Sequence, residues 1–395
     1  MDNIENDING TSALITDIDR RKAIPIIRAL GRSGVRVIGI SYKRLPLGAF
    51  SKYCSKAYRC PDYRDKPDLF MNALERICRD ENPDVFYPIE DVAISLCLQN
   101  PNAWTPYTKA VLPSQGIFEK SYDKWETIKF ARQQGIRVPE TYCPKNIEEV
   151  KRLAESWKGQ AVIKPRKSSG SRGLRYAENS SQMLSAYKEV ANKYPRPLVQ
   201  ERIPLGGQGL GVFTLLNWQN ELLSVFGHKR LREYPVSGGP STLRISYRNQ
   251  KLLEQTVRLF KEMRLVGVAM AEYKTDLRNN EPVLMEINAR FWGSLQLAIA
   301  SGVNFPVLYH KLALGKNFKP VLDYPVGKLC RWLWPGDLLH FLNNPKRFDN
   351  MSDFFQFRDP NMSYDILSYD DILPALGILL EALRKLPEKI FKRQS

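Results

Sequence analysis

Histidine is nearly absent and cysteine is sparse. Three histidines (His228, His310, His340) and six cysteines (Cys54, Cys60, Cys78, Cys97, Cys143, Cys330) are scattered over 395 residues. No Cys-x-x-Cys pair occurs and no cysteine has a histidine close by, which argues against a zinc site or a disulfide frame. Zinc hydrolysis and a histidine-centred nucleophile triad are disfavoured for the same reason. Long apolar runs are also missing: no stretch reaches the roughly 18 to 20 residues of a spanning helix. The start, Met1-Asp2-Asn3-Ile4-Glu5, lacks the basic-then-apolar order of an export signal, so a cytoplasmic location is expected. No G-x-x-x-x-G-K-[ST] occurs, and the turn after the first apolar strand reads Thr16-Asp17-Ile18-Asp19-Arg20 where a dinucleotide-binding unit needs G-x-G-x-x-G.

What is present is a large apolar fraction and an excess of positive charge. With 43% apolar residues the chain can build two or three packed units. Its 59 Lys and Arg against 42 Asp and Glu give a net charge of +17, which predicts anionic company: nucleic acid, an acidic membrane face or phosphorylated small molecules. The position of the charge decides among these.

The first hundred residues alternate strand and helix. Ala13-Leu14-Ile15-Thr16, a helix over about 22–33 closed by Gly34, a strand over 35–40, a helix over about 67–81 and a strand over 84–88 predict a parallel α/β unit. The turn-rich Asn100–Pro106 ends it. A helix follows over about 122–134 and stops at Gly135, after which Val138-Pro139 forces extended backbone.

The most informative segment is Val283 to Gly293. Alternation along a strand places Glu286, Asn288 and Arg290 on one face and Val283, Met285, Ile287, Ala289 and Phe291 on the other. A carboxylate and an amide oxygen two residues apart suit a hard divalent cation. Upstream, Ala269 to Asp276 reads as a second alternating strand. A hairpin with an odd loop or a bulge sets Glu272 opposite Asn288 and Lys274 opposite Glu286, bringing Glu272, Glu286 and Asn288 into one cluster. Further back, the strand Ala161–Lys164 runs through Pro165 into Arg166-Lys167-Ser168-Ser169-Gly170-Ser171-Arg172-Gly173, where small residues let backbone N–H groups approach phosphate. The strand Leu198–Arg202 then runs into Ile203-Pro204-Leu205-Gly206-Gly207, a hinge whose backbone, with Glu201, suits a purine edge.

In this order the elements resemble the ATP-grasp superfamily, in the branch of the carbamoyl phosphate synthase and biotin carboxylase nucleotide domains. The resemblance rests on Asp123-Lys124, Val162–Pro165, the Ser/Gly loop, Gln200–Pro204 and Met285–Arg290, and covers roughly residues 109–316. It implies an α/β and α+β chain: an N-terminal parallel α/β (pre-ATP-grasp) domain over 1–108, an ATP-grasp domain over 109–318 with its lid at about 137–200, and a C-terminal extension over 319–395. By the same resemblance Lys124, Lys164, Ser169, Gly170, Gln200, Glu201 and Ile203 bind ATP. Glu272, Glu286 and Asn288 hold one or two Mg²⁺, with Mn²⁺ as a substitute, and Arg290 faces the phosphorylated substrate. Gln208 stands near where many relatives carry an acidic ribose ligand. Ser168-Ser169 replace part of the glycine run of biotin carboxylases, and no Met-Lys-Met carrier sequence is present.

The expected chemistry is activation of a carboxylate as an acyl phosphate, attack by an amine, and release of ADP and phosphate, with Lys164, Arg230 and Arg290 at the reacting groups. Arg230 and Gly238-Gly239 are expected to meet the acid or its acyl phosphate, and Glu90 or Asp91, at a strand end, to read an amine. The partners are then small-molecule carboxylates and amines, without nucleic acid, and a homodimer is admitted. The alternatives are an ATP-grasp enzyme with a non-amine acceptor, or a non-catalytic nucleotide-binding, membrane-surface or nucleic-acid-binding protein. The basic tail Leu383–Arg393 reads as a capping helix or as a weak contact with an anionic bilayer.

Overall fold

The computed structural model describes residues 6–378 apart from 169, 171, 237, 349–350 and 358. Ser169, Ser171, Ser237 and the basic tail lie outside the described residues. Among the described residues no helix is long and apolar enough to cross a membrane.

Four parallel strands open the chain. β1 (Ser12–Ile15), α1 (Ala23–Arg32), β2 (Arg36–Ser41), β3 (Cys54–Arg59), α2 (Pro67–Glu81), β4 (Val85–Tyr87) and α3 (Asp91–Gln99) form a sheet of order β3-β2-β1-β4 flanked by helices. α2 shows why the sequence folds this way. Pro67 sits in its first turn, Phe70, Met71, Leu74, Ile77 and Cys78 repeat at helical spacing on the buried face, and Asn82 ends it with φ 39°. Each such large apolar side chain gains about 1.5–3 kcal/mol on burial. Chain order reverses between β1 and β4, where open parallel sheets receive ligands. The segments leaving those strands carry Arg20, Arg21 and Lys22, and Glu90.

α4 (Gln115–Tyr122) and α5 (Lys124–Gln133) lead to a small antiparallel sheet. Its strands β5 (Thr141–Tyr142), β6 (Ala161–Lys164), β7 (Arg175–Ala177) and β8 (Leu198–Glu201) lie in the order β5-β8-β6-β7, with α6 (Ile147–Ser156) and α7 (Ser180–Ala191) between them in sequence. Val150, Ala154, Ile163, Met183, Val190 and Val199 form the core of this layer.

The largest sheet runs β13-β12-β9-β10-β11-β14-β15. It comprises β9 (Gly209–Leu216), β10 (Leu222–Glu233), β11 (Ser241–Ser246), β12 (Gly267–Asp276), β13 (Glu281–Asn288), β14 (Leu329–Arg331) and β15 (Met362–Tyr364), with α8 (Gln250–Glu262), α9 (Leu295–Ala300) and α10 (Phe305–Ala313) interspersed. The residues beyond 318 are therefore joined to what precedes them: β14 pairs with β11, and β15 pairs with β14.

Charged groups tie the same stretch to the first sheet. Asp365 receives Arg244 and Arg21, and Asp371 accepts from Arg28 Nε at 2.8 Å and Ser51 Oγ at 2.7 Å. Arg28 and Asp371 are both buried. Replacing Arg28 by Ala leaves the Asp371 carboxylate buried without its cation, and the expected cost is about 3–5 kcal/mol, read by denaturant unfolding.

Candidate active site

The three sheets enclose one cleft of about 900 Å³. Its walls carry ten Lys and Arg side chains against five glutamates, among them Lys124, Lys164, Arg230 and Arg290 facing Glu272 and Glu286. The cleft thus carries a local excess of positive charge. A separate hollow of about 400 Å³ beside α8 shares none of these residues.

The carboxylates come from the β12–β13 hairpin, whose register differs from the expected one. Glu272 lies opposite Glu286, Met270 opposite Asn288 and Lys274 opposite Val283. The cause is a four-residue turn, Leu277–Asn280, combined with a bulge. Asp276 pairs with Glu281, which by simple counting would set Glu272 against Met285, on the wrong face. The ladder instead jumps from Tyr273↔Leu284 to Glu272↔Glu286, skipping Met285, and so restores the phase. Met285, assigned to the core by alternation, consequently lines the cleft.

Asn288 Nδ2 donates to Glu286 Oε1 at 3.0 Å, and Arg290 Nη2 donates to Asn288 Oδ1 at 2.9 Å. Burial pushes the Glu272 carboxyl up, against the pull of Arg230, which donates to it, and Glu286 adds to the rise. Burial also acts to raise Glu286, but Lys124, the Asn288 amide and Lys164 overcome it and hold Glu286 below the usual carboxylate range. The two carboxylates stand paired across the ladder, each beside a cation of the protein, Arg230 for Glu272 and Lys124 for Glu286. With the Asn288 amide they supply the oxygen donors that Mg²⁺ takes. Among the described residues no group of three or more His, Cys, Asp or Glu forms a metal cluster, so the candidate donor set is two carboxylates and one amide.

Lysines approach from two other elements. Asp123 caps α5 by accepting from Trp125 N at 2.9 Å, and it also receives Arg166. Lys124 N donates to Arg166 O at 3.0 Å, so the start of α5 is fastened to the end of β6. Lys124 Nζ reaches the Ser168 carbonyl and lies 3.5 Å from Glu286 Oε2. Lys164, at the end of β6, is buried and is pushed down to about 7, first by burial and then by Lys124. Ser168 and Gly170 line the same wall.

Gln200, Glu201 and Ile203 also line the cleft, but their side chains are largely engaged within the protein. Gln200 Nε2 donates to Thr141 Oγ1 at 2.8 Å, and Glu201 pairs with Arg278 at 2.5 Å. Lys274 Nζ donates to the Ile203 carbonyl at 3.2 Å. The backbone is partly engaged as well, Glu201 N donating to Glu140 O at 2.8 Å and Arg202 N to Gln160 O at 3.1 Å. Gly207 packs so tightly that a Cβ there would stand 1.8 Å from the Thr275 carbonyl oxygen. Gly207→Ala is expected to displace this loop and weaken nucleotide binding at least ten-fold, measured by calorimetry.

Arg230 joins the cluster with the Gly238-Gly239 turn, donating to Glu272 and, at 3.4 Å, to the Gly239 carbonyl. Glu90 lines the cleft, and Glu90 and Asp91 each hold an ion pair while Asp91 Oδ2 has no hydrogen-bond partner among the described residues. Glu90 pairs with Lys22 at 2.9 Å and Asp91 with Arg290 at 2.8 Å, because α1 and the end of β13 both deliver cations to the switch point. The sequence reading missed Arg20, Arg21, Lys22, His228 and Trp292, all of which line the cleft. Only the position of Arg20–Lys22 just after the first strand signalled it; the other two are placed by long-range packing.

Residues 121–294 match the ATP-grasp domain family, and the chain carries an ATP-grasp domain over that range. It is 21% identical over 341 residues to the carbamoyl phosphate synthase large chain of Rubrobacter xylanophilus, covering 77% of this chain and 31% of that one. The chain spans less than a third of the length of each curated relative it matches. Among solved structures it resembles N5-carboxyaminoimidazole synthetase from Staphylococcus aureus, with TM-score 0.65, 13% identity and coverage of 88% of this chain and 86% of that one. It also resembles the biotin carboxylase domain of Hydrogenobacter thermophilus 2-oxoglutarate carboxylase in complex with MgADP, ADP and bicarbonate, with TM-score 0.64, 17% identity and coverage of 81% and 73%. These likenesses establish the ATP-grasp fold.

Proposed function

We propose that this chain is an ATP- and Mg²⁺-dependent ligase that activates a carboxylate as an acyl phosphate for attack by an amine, releasing ADP and phosphate. The observation that carries the reading is the meeting of Lys124 from α5, Lys164 from β6, and Glu272 and Glu286 from one hairpin around a single cleft, with Asn288 hydrogen-bonded to Glu286 behind them. Phosphoryl transfer needs alignment and charge neutralisation more than a protein nucleophile, and this kit supplies both.

Lys124 and Lys164 bind the nucleotide phosphates, each contact being worth about 4 kcal/mol at 4 Å and an effective dielectric near 20, before desolvation. The backbone of residues 201–203 holds the base, and Arg290 and Arg230 orient the acid and its phosphorylated form. Glu272, Glu286 and Asn288 would hold Mg²⁺. Bound there, the ion supplies charge neutralisation at the phosphate oxygens.

The test is an ADP-release screen across pools of carboxylates and amines. ADP and phosphate that depend on both pools, and fall to background when EDTA removes the metal, are expected. AMP and pyrophosphate would overturn the acyl-phosphate route, and nucleotide binding without turnover under any pool would overturn the ligase.

A further inference from the structure

The last four residues of β10, Arg230, Leu231, Arg232 and Glu233, all line the cleft. A regular strand turns successive side chains to opposite faces and would present only alternate ones. Lys229 keeps to that rule: its amine lies 5.4 Å from the centre of the Tyr247 ring, and it is not among the cleft walls. The departure begins in the pairing with β11. Arg230 pairs with Arg244 and Arg232 with Leu243, so Leu231 has no residue opposite it. Glu233 then pairs with Ser241, which skips Thr242 and restores the count. A bulge of this kind re-aims the residue that it leaves unpaired.

Leu231 is 44% exposed, and so is Val236 in the turn after β10. Both line the cleft, and neither belongs to a hydrophobic core among the described residues. The turn folds back onto the arginine that is proposed to orient the acid. Tyr234 N donates to Pro240 O at 3.1 Å, Gly238 N to Pro235 O at 3.0 Å, and Arg230 Nη1 to Gly239 O at 3.4 Å. The arginines on either side of the leucine have counter-charges in the protein, Glu272 for Arg230 and Asp337 for Arg232. Two other exposed apolar side chains of the cleft stand on other elements: Tyr176 on β7, with the Arg202 guanidinium 4.5 Å from its ring, and Leu205 in the hinge.

We infer that Leu231 and Val236 form a subsite for an aliphatic chain on the carboxylate substrate, which lies along the bulged wall with its carboxylate toward Arg230. Apolar surface favours a hydrocarbon over a hydroxylated chain, since the hydrocarbon gains by leaving water and the hydroxyl loses its hydrogen bonds there. This rests on the ligase reading above and narrows its acid to those with several unsubstituted carbons beyond the carboxylate.

The test separates binding from turnover. Protein loaded with Mg²⁺ and a non-hydrolysable ATP analogue is titrated calorimetrically with pentanoate and with 4-hydroxybutanoate, which has the same charge and length and a hydroxyl in place of the terminal methyl. Pentanoate is expected to bind at least ten-fold tighter. Leu231→Asn and Val236→Thr, both at exposed positions, are each expected to cut that preference at least three-fold while affinity for the analogue stays within two-fold. Equal affinities in the parent, failure of both acids to bind, or a preference that survives both substitutions would overturn the subsite. Loss of analogue affinity in both variants would overturn it as well, assigning the two side chains to closure of the cleft over the nucleotide. A retained preference without ADP release would count against the ligase and leave the subsite standing.

Discussion

Glu286→Gln is expected to lower acceptor-dependent ADP release by two to three orders of magnitude, the range seen when a single electrostatic contact to a transferring group is removed. The substitution preserves shape but removes the carboxylate that faces Glu272 across the hairpin and stands 3.5 Å from Lys124. Lys124 and Lys164 then face each other without their nearest counter-charge, and the divalent cation loses one of two carboxylate ligands. Single-turnover ADP formation measures the effect, and a thermal scan checks that the fold is retained. A loss of less than ten-fold would remove the hairpin from the mechanism. Glu272→Gln should behave similarly but also weaken the hold on Arg230, which then keeps Glu233 at 3.7 Å, so its defect should appear more strongly in the KM for the acid.

Lys164→Met should be nearly as severe, and its signature is a proton. With its amine pushed down to about 7, Lys164 is largely neutral at pH 8 before nucleotide binds. The triphosphate favours the charged form, so binding above pH 7 is expected to take up a proton, and affinity should fall as pH rises through that value. Calorimetry in two buffers of different ionisation heat reads the uptake directly, and Lys164→Met should abolish it. The stability effect has the opposite sense. Between about 7 and the unfolded lysine value near 10.4 the unfolded chain binds the additional proton, so this residue makes the nucleotide-free protein more stable as pH rises across that window. The Met variant should lack that slope in chemical denaturation.

Much of this site was legible because its chemistry is carried by short strands with strict alternation. Glu286 and Asn288 share a face in any strand, and Lys164 stands at the end of an apolar run of three. α2 was readable to the residue because Pro67 and Asn82 mark its ends. The pairing of Glu272 was not, since it depends on the turn and on one skipped residue, Met285, and no local pattern announces a bulge. His228 lay within a basic run and gave no sign of being buried. Its place is set by Phe213 and Gly211 on the neighbouring strand, contacts that arise only once β9 and β10 pair. Glu90 and Asp91 were correctly located at a strand end, but the cations that neutralise them come from about 70 and 200 residues away in sequence.

The attachment of β14 and β15 to the edge of the main sheet bears on how this protein can be cut. A fragment ending near residue 318 would expose the backbone of β11 as an open edge and strand Arg28 and Arg244 without their acidic partners. An uncovered strand of that kind recruits other chains. The stretch that carries β14 and β15 thus covers the edge of the main sheet, and truncations intended to isolate residues 121–294 should be made only at positions that leave both terminal strands in place.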